Sequence, residues 1–223
     1  MKNKKVLSFV IVLSLILVLM INSKSDATNV YDYNEHINFS ITNKEDKVKV
    51  KIYPKIETKK ELLDYTKVSK DSFKKLQNQK NEFDLIATVT LNKPIAVNEF
   101  EKVINMYSID LVSFTIRALD SEGTRITIGG VPDLDSKRIS QEKINSFITE
   151  DMDLKGIIAF ECKMNNKNIK EIDNLQKNKN IFLVDVESYF IEQQVSGKNK
   201  GKKIQGDTVP NMYWFLEDFK LTE

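Results

Sequence analysis

The sequence has one cysteine and one histidine in 223 residues. The lone thiol, Cys162, excludes any disulfide within the chain, so the fold has to rest on its hydrophobic core. The lone imidazole, His36, excludes a zinc site built on several histidines. A Ser-His-Asp triad would have to use that same residue, and no Gly-x-Ser-x-Gly occurs anywhere. There are seven glycines and four prolines, and no Gly/Ser/Pro linker divides the chain. Residues 28–83 therefore read as an extension of the sheet that follows, although a separate subdomain stays open. No repeat of solenoid type is present. Neither sign of charge dominates, with 34 Lys and Arg against 32 Asp and Glu. The first 27 residues carry four lysines and one aspartate, which leaves the remainder at about −1. That balance argues against a nucleic-acid binder, which would show a basic domain.

What the chain does contain begins at its start. Lys2, Lys4 and Lys5 precede Val6 to Ile21, a run of 16 residues without a charge. As a helix this run would be about 24 Å long. That lies between the h-region of a signal peptide and a spanning helix. Ser25-Asp26-Ala27 offers small residues where a signal peptidase reads. Residues 1–27 thus fit a signal peptide or a membrane anchor. The lysines ahead of the run place the remainder outside the cytoplasm. No cysteine lies near residues 20–30, so a lipid-modified N-terminal cysteine is excluded.

Beyond residue 27 the patterns are those of an α+β protein. Ile37, Phe39 and Ile41, then Val48, Val50 and Ile52, alternate with polar residues around Asn43-Lys44-Glu45-Asp46, which predicts a hairpin. Thr58 and Glu61 fit a capping box, and Leu62, Tyr65, Phe73 and Leu76 predict helix to about residue 78. Leu85 to Leu91 reads as a strand. Phe100, Val103, Ile104 and Tyr107 fall on one helix face. Ile109 to Leu119 and Thr124 to Ile128 read as a hairpin about Asp120-Ser121-Glu122-Gly123. Ser140 caps a short helix. Gly156 to Met164 and Asn180 to Val186 read as strands on either side of a helix from Asn168 to Gln176. Residues 84–187 thus read as two strand–helix–strand units, a ferredoxin-like (split βαβ) antiparallel sandwich with an N-terminal hairpin extension. Residues 188–223 read as a lysine-rich flexible loop, Ser196 to Lys203, and an apolar C-terminal segment.

Few side chains offer chemistry. His36 reads as a surface residue and Cys162 as a small buried hydrophobe sharing a face with Ile158, Phe160 and Met164. Asp133 and Asp135, with Glu150, Asp151 and Asp153, form carboxylate clusters that lack the twelve-residue calcium-loop pattern. Gly129-Gly130 reads as a turn. No catalytic, cofactor-binding or metal-binding residue is expected, and no cofactor. Two surfaces stand out instead. Met212, Tyr213, Trp214, Phe215 and Phe219 are candidates for contact with a protein partner, since Trp and Tyr are enriched in binding hot spots. Lys198, Lys200, Lys202 and Lys203 are candidates for contact with an anionic surface.

The expected function is therefore that of an exported or membrane-anchored domain that binds a protein outside the cytoplasm, without enzymatic activity. It would be single-pass through residues 6–21, or secreted after cleavage. Residues Ile169 to Val186 also look like the last helix and strand of the propeptide-type inhibitors of subtilisin proteases. That resemblance spans about 20 residues and implies a protease-inhibitor or propeptide-like module as a second expectation. A carboxylate-dependent cell-surface enzyme using Asp133, Asp135, Glu150 or Asp151 is the third, and it requires a cleft where two of them meet.

Overall fold

The computed structural model describes residues 28–133 and 138–222. The signal or anchor segment lies outside the described residues, as does Asp135. Among the described residues, no helix is long and apolar enough to cross a membrane.

The chain is mixed α+β, with two sheets and six helices among the described residues. In chain order the elements are β1 (Thr28–Asp32), β2 (Ile37–Asn43), β3 (Lys47–Pro54), α1 (Lys59–Gln77), β4 (Asp84–Ile95), α2 (Val97–Met106), β5 (Asp110–Leu119), β6 (Arg125–Gly130), α3 (Gln141–Asn145), β7 (Asp153–Asn165), α4 (Ile169–Gln176), β8 (Ile181–Asp185), α5 (Glu187–Lys198), β9 (Lys203–Gly206) and α6 (Tyr213–Asp218).

The hairpin forms as its alternation predicts. Phe39 pairs with Ile52 and Ile41 with Val50, all four buried. The start of α1 is fixed by its capping box: Glu61 N donates to Thr58 Oγ1 at 3.2 Å, and Thr58 N to Glu61 Oε2 at 2.9 Å. Strands β1, β2, β3 and β9 lie side by side in that order, with β9 parallel to β3. The first and last parts of the chain therefore share one sheet. The second sheet has the order β6-β5-β7-β4-β8 and is antiparallel throughout. The hairpin expected about residues 120–123 forms between β5 and β6, and β6 lies at the edge as the fifth strand.

The two faces of this second sheet meet different neighbours. On one, Ala87, Val89, Phe114, Phe160 and Cys162 pack with Phe100 and Val103 of α2 and Ile172 and Leu175 of α4. On the other, Ala159 and Leu183 pack with the first sheet, α1, α5 and α6. Ile158 belongs to this second layer, not with Cys162 as expected. Thr115 pairs with Ala159 and Ile116 with Ile157, so Ile158 is an extra residue, and the bulge turns its side chain over. Next to it, Gly156 has φ 130°, and a Cβ there would lie 2.5 Å from the Ile95 carbonyl oxygen. Only glycine meets both demands.

The lysine stretch expected as one flexible loop is divided differently. Ser196 to Lys198 close α5, and Lys203 opens β9. Helix α5 was not foreseen because the face it buries carries Glu187 and Ser188 as well as Ile191 and Val195. Gly129 and Gly130, expected as a turn, are the last residues of β6. There Gly130 pairs with Phe114, whose ring occupies the space of a Cβ.

Candidate functional site

The C-terminal segment decides the shape of the second layer. Residues 208–212 cross the sheet, held by hydrogen bonds with two of its threonines. Thr88 Oγ1 donates to Val209 O at 2.9 Å, and Met212 N donates to Thr90 Oγ1 at 3.0 Å. Thr208 Oγ1 bonds the Glu161 carboxylate, which also accepts from Ser113 Oγ at 2.7 Å. Helix α6 then docks over β5 and β6. Of the five expected partner residues, Met212 and Tyr213 are buried. Phe215 and Phe219 are half-buried and stacked on each other, and Trp214 is 38 % exposed.

The centre of that docking is Arg117, which is 1 % exposed. Its Nε donates to Glu217 Oε1 at 2.9 Å and its Nη2 to Glu217 Oε2 at 2.6 Å, a two-pronged ion pair. Nη1 donates to Ile126 O at 3.2 Å and to Thr127 Oγ1. The guanidinium carbons of Arg117 and Arg125 lie 4.3 and 4.4 Å from the centre of the Trp214 ring. Arg125 also reaches Asp218 at 2.7 Å. Each nitrogen of the buried cation thus has a partner on α6 or β6.

The same crossing leaves the far half of this sheet face open. Two adjoining grooves lie there, of about 540 and 570 Å³. Thr208 lines both. The first has Ser113, Thr115, Ala159 and Glu161 as floor, Thr208 to Asn211 as one wall, and Gly129, Val131 and Phe147 opposite. The second is lined by Asp84, Ile86, Asp110, Lys163, Ser188 and Glu192. Ile86 is 37 % exposed in its strand and Val131 is 58 % exposed. Burial pushes the Glu192 carboxyl up, and its Oε1 lies where a Cβ on Gly206 would be, 2.0 Å away.

A second buried polar centre joins α1 to the end of β8. Tyr65 donates its hydroxyl to Asp185 Oδ2, and Glu187 N donates to Asp185 Oδ1 at 2.9 Å. Burial pushes the Asp185 carboxyl up to about 7, while the hydrogen bonds from Tyr65 and Glu187 N pull the other way. Glu187 is raised for the same reason, opposed by hydrogen bonds from Ser72 and Tyr33. His36 lies beside this centre, its ring edge-on to Tyr65 at 6.1 Å between centroids. Its expected place was the surface. It turns inward because Asn34 Oδ1 accepts from both His36 N and Ile37 N at 2.8 Å, folding the chain back before β2.

The remaining candidates are scattered. Lys198, Lys200, Lys202 and Lys203 are all exposed, near the β2–β3 turn. Cys162 is buried, and burial pushes its thiol up to about 12, away from reactivity. Asp133 pairs with Lys143 at 3.0 Å, while Glu150 and Asp151 are exposed. None of these three acids lines either groove, and among the described residues no group of three His, Cys, Asp or Glu could hold a metal ion. Arg117, Asp185 and the groove residues were missed from the sequence. Asp185 had a visible signal, a lone carboxylate inside the apolar run Ile181 to Val186. The sequence matches no protein-family model, and no curated protein or solved structure matches the chain.

Proposed function

We propose that this chain is an exported domain that binds another protein outside the cytoplasm, through the open half of its five-stranded sheet. The uncharged run Val6–Ile21, with lysines ahead of it, supports export, as a cleaved signal or as a single-pass anchor. The reading assigns no enzymatic activity to the domain. The observation that carries it is the pair of grooves on either side of Thr208. A sheet face that is neither packed nor simply polar, with exposed Ile86 and Val131 at its ends, offers apolar contact framed by hydrogen-bonding groups. The aromatic C-terminal segment takes part through its path: Pro210 and Asn211 form a wall of the first groove.

The core is read, at a finer level, as ferredoxin-like. What supports this is the pattern β4-α2-β5 and β7-α4-β8, the spatial order β5-β7-β4-β8, and both helices packing on one face, with β6 added at the edge. That fold does not itself imply a function.

Affinity capture from the native membrane fraction tests the binding reading. The full chain is compared with a double variant, Ile86→Lys with Thr115→Lys, which fills both grooves with charge. A discrete protein that is recovered by the parent and lost with the variant supports the reading. Equal recovery by both proteins, or no recovery by either, contradicts it.

A further inference from the structure

Three of the four candidate lysines, Lys200, Lys202 and Lys203, belong to a larger feature that only the tertiary pairing reveals. Strand β9 adds to β3 in parallel register, with Lys203 beside Lys47 and Gln205 beside Lys49. On β3, Lys47, Lys49 and Lys51 alternate with buried Val48, Val50 and Ile52, so they share the outer face. Paired residues point to the same side, so Lys203 joins them there. Lys200 and Lys202 sit in the turn at the end of this face, and Lys202 Nζ reaches Lys44 O at 3.3 Å. Glu45 and Asp46 in the neighbouring turn, and Asp207 beside Lys49 and Lys51, offset part of this charge, and an excess of lysine remains.

The chain enters the fold at the same place. Thr28, the first residue of β1, pairs with Thr42, and Thr42 pairs with Lys49. At about 4.8 Å between strands, the start of β1 lies about 10 Å from Lys49. Six residues separate Ile21, the last of the apolar run, from Thr28. Fully extended, they reach about 20 Å. The cationic sheet face is therefore held within about 20–30 Å of wherever the apolar run ends.

We propose that the outer face of the first sheet, carrying Lys47, Lys49, Lys51 and Lys203, docks on the anionic headgroups of the bilayer that holds Val6–Ile21. Charge complementarity and the point where the chain enters β1 both point to a lipid surface. Docking turns the opposite side of the molecule, with α2, away from the bilayer. The inference rests on the reading of residues 6–21 as a membrane segment, and its test separates the two.

The full chain is reconstituted into zwitterionic vesicles and, separately, into vesicles containing about a third anionic lipid. A water-soluble acylating reagent then labels lysines, read residue by residue by mass spectrometry. Retention on zwitterionic vesicles reports on the apolar segment alone. The expected result is that Lys47, Lys49, Lys51 and Lys203 label about tenfold more slowly on anionic than on zwitterionic vesicles, since each lysine near an anionic surface adds to the attraction. Lys102, exposed on α2, labels equally on both. About 0.5 M salt removes the protection, because screening then acts over a few ångströms. The exposed pair Lys49→Gln and Lys51→Gln lowers the protection of Lys47 and Lys203 by about tenfold. Retention on both vesicle types with equal labelling on both overturns the docking and leaves the anchor standing. Binding to anionic vesicles only, with protection, supports the docking and removes the anchor. Binding to neither overturns both.

Discussion

The two faces of the five-stranded sheet are closed by different physics. One is an apolar layer in which Val89, Phe114, Phe160 and Cys162 meet Phe100, Val103, Ile172 and Leu175. Its contacts are non-directional, and their worth follows the area buried. The other face presents Thr88, Thr90, Arg117, Glu161 and Asp185 at its centre, each tied to specific partners by hydrogen bonds or an ion pair. Directional contacts place what they hold, but they cover only the ground where a partner reaches. The apolar face is filled from edge to edge, whereas the polar face is latched along one half and open along the other. The open half is where binding is proposed.

The difference predicts unlike responses to small changes. The largest effect is expected at Glu217. Glu217→Gln keeps the size of the side chain but leaves the buried Arg117 cation without its counter-charge, and it should cost about 3 kcal/mol of stability in urea unfolding. A cost below about 1 kcal/mol would make the latch incidental.

The second effect distinguishes the faces by pH. The Asp185 carboxyl is raised from its ordinary value to about 7, so the folded state binds this proton more tightly than the unfolded chain does. Its stabilising contribution is fully present below about pH 4 and is lost as pH rises through about 7. Stability should fall by roughly 1 kcal/mol per pH unit between pH 5 and 7. Asp64, Glu61 and Asp71 have lowered values and act only at more acid pH. Asp185→Asn should flatten the profile in that window, read as urea midpoints at pH 5, 6, 7 and 8. An unchanged slope in the variant would assign the dependence elsewhere, with Glu187 the first candidate.

A smaller change suits the apolar face. Cys162→Ala removes one buried sulfur among apolar neighbours and should cost about 1–2 kcal/mol, with no change in pH dependence. The parent thiol should resist a thiol reagent until the protein unfolds. The smallest effect is local to α1, outside both faces: Thr58→Ala removes the capping box and should cost about 1 kcal/mol.

The sequence was legible where burial follows a local period. Val48, Val50 and Ile52 announce β3, Phe100, Val103 and Ile104 announce α2, and Thr58 with Glu61 marks the start of α1. It was not legible where a distant partner decides. The residues of β9, Lys-Ile-Gln-Gly, have no strand pattern of their own and pair with a strand about 150 residues earlier. Helix α5 buries Glu187, whose partners on α1 and before β2 no local pattern reveals. Arg117 looks solvent-facing by alternation with Ile116 and Ala118. It is buried because α6 brings Glu217 to it from 100 residues away. The open grooves have the same origin, since they depend on where residues 208–211 cross the sheet.

The most direct test of the account compares positions on the two sides of that sheet inside the native host. A photo-reactive amino acid is placed at Ile86, in the open groove, and in a second strain at Met106, which is 70 % exposed at the end of α2 on the opposite side. The account predicts one discrete cross-linked protein from position 86, and none from position 106. The same product from both positions, or a product from position 106 alone, would contradict the claim that the open half of the polar face is the binding surface.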